Sequence, residues 1–107
     1  MQSGKAEASV LMTNPTGLHA RPAVKLTKLA KTFKAQVQIL PAGGSDWIDA
    51  KSIVKVMGLK APRDSVLSFR AEGDDAEAAV AALVALVARH FDEGTGARGE
   101  PDGGTAG

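Results

Sequence analysis

The sequence predicts an α+β domain, a four-stranded antiparallel sheet with three helices on one face, in the order β-α-β-β-α-β-α. Three observations lead there. Stretches that alternate apolar and polar residues are interleaved with stretches of helical period. Each helical stretch has one apolar side that must be covered. Strands and helices of that kind settle as a sheet with its helices stacked on one side.

Ser9 to Thr13 (SVLMT) is apolar and β-compatible, and Asn14-Pro15-Thr16-Gly17 marks a turn. Ala23, Leu26, Ala30 and Phe33 then recur at helical spacing, with Lys25, Lys28 and Lys31 on the other side. That pattern predicts an amphipathic helix of about three turns. Val37 and Ile39 alternate with Gln36 and Gln38, giving a half-buried strand that Pro41 and Gly43-Gly44 end. Trp47 to Ala50 is a second short strand, paired with the first as a hairpin, and Trp47 is expected to be buried in the sheet. Ser52 offers an N-cap for a short helix through Met57, with Gly58 as its left-handed stop. Ala61-Pro62-Arg63-Asp64 is a turn; Val66, Leu67 and Phe69 form a third interior strand, closed by Gly73. Asp74 to Phe91 is an alanine-rich helix with Val80, Leu83, Val87 and Phe91 on its buried face. Asp74, Asp75 and Glu77 fall in its first turn and Arg89 and His90 in its last, as the helix dipole favours.

The 107 residues allow one domain. Residues 1–6 read as a disordered polar leader and residues 7–93 as the domain. Residues 94–107, with six glycines in fourteen positions, read as a disordered tail or linker. Thirteen Lys and Arg against twelve Asp and Glu leave a net charge of +1, which recruits neither nucleic acid nor an anionic membrane. Aromatics at 4% supply no base-stacking platform. Cysteine is absent, so disulfides and thiolate metal sites are excluded. Asp46 and Asp49 lack metal-ligand spacing, and no metal or cofactor is expected. No run approaches the ~18 apolar residues of a membrane span, and no apolar signal segment opens the chain. A cytoplasmic protein is expected.

The chemistry concentrates in Thr16-Gly17-Leu18-His19-Ala20-Arg21-Pro22-Ala23. His19 stands where the first turn meets the first helix. Pro22 suits a helix's first turn, because the amide proton it lacks would have no intrahelical partner there. Proline also biases Arg21 away from helical geometry, so the helix begins anywhere from Ala20 to Pro22. In each case the imidazole lies beside backbone N–H groups at a positive dipole end. Those amides and the Arg21 guanidinium can hold an arriving phosphoryl group. The plainer reading is a surface histidine that merely caps the helix. No lysine-bearing Gly-rich nucleotide loop accompanies the site, which argues against ATP as direct donor.

Gly17-Leu18-His19-Ala20-Arg21-Pro22-Ala23, followed by Ala50-Lys51-Ser52-Ile53-Val54-Lys55-Val56 and by Ala71-Glu72-Gly73, resembles HPr. HPr is the histidine-containing phosphocarrier family of the bacterial phosphoenolpyruvate:sugar phosphotransferase system. The resemblance covers residues 7–93 and implies that family's open-faced β-sandwich. It implies that His19 accepts a phosphoryl group on Nδ1 from phosphorylated enzyme I and passes it to a IIA-type domain. Arg21 would neutralise the phosphate, and the amides around Ala20 and Arg21 would complete the cradle. The chain would then be a monomeric carrier and co-substrate in a relay, without a metal, rather than a free-standing enzyme.

Ser52 reads as a helix cap from the residues alone. The resemblance adds a regulatory role, since in lineages with an HPr kinase/phosphorylase the matching serine is phosphorylated. Ile53, Val54 and Met57 would form an exposed docking patch, ringed by Arg21, Lys28, Lys31 and Lys55. Asp64 stands where the family often has glycine, which calls for a left-handed aspartate. Three other readings stay open: a regulatory binding protein acting through Ser52, an α/β nucleic-acid module, and a domain of a multidomain fructose or dihydroxyacetone phosphotransferase.

Overall fold

A computed structural model describes residues 4–13 and 17–92. Eight elements follow one another: β1 (Lys5–Met12), α1 (Ala20–Lys31), β2 (Gln36–Pro41), β3 (Ile48–Asp49), α2 (Ile53–Gly58), β4 (Ser65–Glu72), α3 (Ala76–Ala88) and a closing turn at His90–Asp92. The strands form one antiparallel sheet in the order β1-β4-β2-β3. β4 is central, pairing with β1 from Lys5↔Glu72 to Met12↔Ser65 and with β2 from Gln36↔Glu72 to Pro41↔Leu67. The short β3 joins β2 through Gln38↔Asp49 and Ile39↔Ile48, completing the expected hairpin.

Burial follows the strand period of two. Val37, Ile39, Leu67, Phe69 and Ala71 point into the core under the helices. Gln36, Arg70 and Glu72 face solvent from the open side. Leu26, Ala30, Leu83 and Val87 close the other wall of the core. The four-stranded antiparallel sheet with three helices is the architecture the sequence predicts.

Five local expectations are corrected. β1 starts at Lys5, so Lys5 and Ala6 belong to the sheet and not to a leader. Its inward positions include Ala6 and Ala8, whose small side chains carry little strand signal but sit beneath α3. Val66 is not interior: it alternates with buried Leu67 and lies on the open face. Trp47 is only half-buried, and the Arg70 guanidinium lies 4.2 Å over its ring.

Gly58 does not stop α2. The helix includes it, and the left-handed residue is Lys60, with φ 51°. The chain turns there because the amides of Leu59 and Lys60 bond back to Val56 (3.1 Å) and Met57 (3.3 Å) in tightened three-residue steps. Lastly, α3 is shorter at both ends than the stretch from Asp74 to Phe91. Asp75 is its N-cap residue. Beyond Arg89, His90, Phe91 and Asp92 all turn left-handed, and that turn carries Phe91 into the core. Asp64 adopts the expected left-handed conformation, φ 71°.

Leader residues 1–3, turn residues 14–16 and the Gly-rich tail lie outside the described residues. No helix among the described residues is long and apolar enough to cross a membrane.

Candidate functional site

Backbone geometry fixes the His19 loop from outside the helix. Gly17 takes φ 65°, and a Cβ there would stand 2.6 Å from the Ala61 carbonyl oxygen. Only glycine allows both that conformation and that approach. The approach lets the Leu18 amide donate to the Ala61 carbonyl at 2.9 Å, while the Leu18 side chain is buried. The loop carrying His19 is thereby clamped to the segment between α2 and β4.

Helix α1 begins at Ala20, with His19 as an extended N-cap residue (φ −91°, ψ −173°). Its first backbone bond runs from the Ala23 amide to the His19 carbonyl, 2.9 Å. Ala20 and Arg21 occupy the first turn, where no carbonyl of the helix reaches back to an amide. Pro22 follows them, is buried and has no amide proton to satisfy. The His19 side chain makes no capping bond to its helix and is exposed. The plainer reading, a histidine that caps α1 through its ring, does not describe this geometry.

His19 borders an open concavity of about 350 Å³, shared with Leu18, Ala20, Met57, Lys60, Ala61 and Pro62. The exposed His19 thus stands directly before the first-turn amides of α1, and Arg21, also exposed, follows two residues on. That is an arrangement for receiving an anion at a helix N-terminus.

Ser52 sits where the sequence puts it. It is the N-cap of α2, and its Oγ accepts from the Lys55 amide at 3.3 Å. Of the expected patch, Val54 is 77% exposed and Met57 42%, whereas Ile53 is half-buried and packed on the core beside Val56. The spacing of three puts Ile53 and Val56 on one side of the helix, so the exposed patch on α2 is Val54 and Met57. Lys28, Lys31 and Lys55 are exposed. Val24, also 42% exposed, stands on α1 between Arg21 and Lys28 and belongs to the same run of surface residues.

Sequence reasoning missed Gly17 as a clamp and missed Lys60, Ala61 and Pro62 as walls. They are remote from His19 along the chain or carry no chemistry of their own. Val24 could have been found from its place among Arg21, Lys28 and Lys31.

The shifted titrating groups lie elsewhere. The amides of Lys34 (2.9 Å) and Ala35 (2.8 Å) donate to the Asp75 carboxylate, and the Lys34 bond is the main cause holding it below the ordinary aspartate range. Arg89 donates to Asp92 at 2.9 Å and lowers that carboxylate likewise. His90 shares a 2.8 Å hydrogen bond with the Thr13 hydroxyl. Among the described residues no group of three or more His, Asp or Glu side chains stands together as a metal site.

The fold and site together define a class of protein: a small antiparallel sheet covered on one side by helices, with an exposed histidine at the N-terminus of the first helix. Residues 6–89 match the family model described as the PTS HPr component phosphorylation site. A phosphocarrier protein HPr from Cupriavidus necator is 44% identical over 76% of this chain and 89% of its own. A phosphocarrier protein NPr from Shewanella violacea is 37% identical over 83% of this chain and 96% of its own. The crystal structure of HPr-C-His from Thermoanaerobacter tengcongensis superposes with a TM-score of 0.76 at 37% identity, covering 83% of this chain and 98% of that one. The chain belongs to the HPr family, the phosphocarriers of the phosphotransferase system.

Proposed function

We propose that His19 takes a phosphoryl group from phosphorylated enzyme I, itself charged by phosphoenolpyruvate, and delivers it to a histidine on a IIA-type domain. In each transfer one nitrogen–phosphorus bond forms as another breaks. His19 Nδ1 is first the incoming nucleophile and then the leaving group. Arg21 and the first-turn amides of Ala20 and Arg21 offset the charge on the moving group, so the chain contributes positioning and electrostatics. The observation that carries the reading is an exposed ring at a helix N-terminus to which it makes no capping bond. The relay belongs to the cytoplasm, where both partners would meet the chain as a monomer.

Val54 and Met57, with Lys28, Lys31, Lys55 and Arg21 around them, suit a transient docking surface of apolar centre and basic rim. Ser52 is the second proposed modification site, open to an HPr kinase/phosphorylase. A phosphate there would add about two negative charges to that rim while leaving the helix start intact.

Incubation with phosphoenolpyruvate and enzyme I should add one phosphate, labile to acid, and a IIA domain should remove it. Full labelling of His19→Ala would overturn the assignment.

A further inference from the structure

From Lys60 we infer a further positioning residue, one that steadies the phosphorylated form of His19 from the α2 end of the concavity. The inference rests on the phosphohistidine reading above. Two independent observations carry it. Lys60 lines the concavity that His19 borders, on the segment that follows α2. It also holds φ 51°, a left-handed backbone that an L-residue with a long side chain adopts at a cost. Glycine or asparagine would close the α2 turn with less strain, so the turn alone gives no reason for a lysine at this position.

Its side chain is exposed, and among the described residues no ion pair engages its ammonium. The clamp between Gly17 and Ala61, next in sequence to Lys60, fixes the two walls relative to each other. A phosphoryl group on His19 brings about two negative charges into this space. Arg21 then flanks it from α1 and Lys60 from the end of α2. The second cation stabilises the dianionic phosphoryl group more than the monoanionic one, and stabilises both over the empty ring.

Lys60→Asn isolates this effect, because asparagine tolerates the left-handed backbone while removing the charge; Lys60→Arg keeps the charge. Potassium phosphoramidate loads histidine without a protein donor, and the His19 signal is identified by its loss in His19→Ala. A ³¹P NMR titration should then show the phosphoryl midpoint about 0.2–0.7 pH units higher in Lys60→Asn, the range of an exposed charge pair. The midpoint should return in Lys60→Arg, and the difference should shrink in 1 M salt. A Lys60→Asn midpoint equal to the parent's, or one that arginine fails to restore, overturns the inference. Failure of enzyme I to label His19 is read in a separate reaction, so the relay and the role of Lys60 stand or fall apart.

Discussion

Helices α1 and α3 open with the same defect and solve it in opposite ways. Neither N-cap side chain, His19 or Asp75, bonds to its own helix. Asp75 turns both carboxylate oxygens outward to the Lys34 and Ala35 amides, tying the start of α3 to the segment between α1 and β2. Among the described residues His19 makes no such tie; its loop is held instead by backbone contacts at Gly17 and Leu18. One helix start spends its side chain on the fold. The other is held by the main chain, which leaves its side chain exposed for chemistry.

The comparison breaks most visibly at His19. His19→Ala should abolish acid-labile labelling, yet leave stability within about 0.5 kcal/mol, as for surface substitutions that remove no cap. Labelling and a urea melt on the same sample check both halves. A large loss of stability would show that the ring supports the fold after all.

Gly17→Ala should do the reverse and affect both properties. The new Cβ meets the Ala61 carbonyl oxygen at 2.6 Å in a left-handed backbone, for a cost of about 1–3 kcal/mol. His19 would remain present but misplaced, so labelling by enzyme I should slow while residual labelling persists. Unchanged rates with lowered stability would mean that the clamp serves the fold alone.

Asp75→Ala tests the closed helix start through pH. Its carboxylate is depressed, chiefly by the Lys34 amide, so the native state binds its proton less readily than the unfolded chain does. The stabilisation is therefore full above the unfolded value of about 3.9 and is lost as pH falls through the lower folded value. The parent should melt higher than Asp75→Ala at pH 7, and the two should converge as the pH drops below about 4. Labelling of the variant at pH 7 should match the parent.

How much of this contrast was legible in the sequence depends on how local the cause is. The placement of His19, the Ser52 cap and the helix and strand periods rest on neighbours within a few residues, and they were read from the chain. Val66 was misread because one apolar residue too many was credited to a face whose period admits only every second position. The bridge from Asp75 to Lys34 spans some forty residues, and the approach of Gly17 to Ala61 more. Neither pair carries a local signal. The turn of α2 falls between these cases: Gly58 is the residue that could stop a helix, but the left-handed position goes to Lys60.

Ser52→Ala gives the smallest effect and the finest test, because α2 starts with the cap that α1 lacks. The bond from the Lys55 amide to the Ser52 hydroxyl is long, 3.3 Å, which points to the lower part of the usual cap range, about 0.5–1 kcal/mol. Thermal unfolding should therefore shift by only a few degrees. Ser52→Asp keeps an oxygen in the capping position and adds a negative charge, so it should restore stability while slowing phosphorylation by enzyme I. If the aspartate variant is instead as fast as the parent, the charge at this helix start has no part in docking, and Ser52 serves as a cap and nothing more.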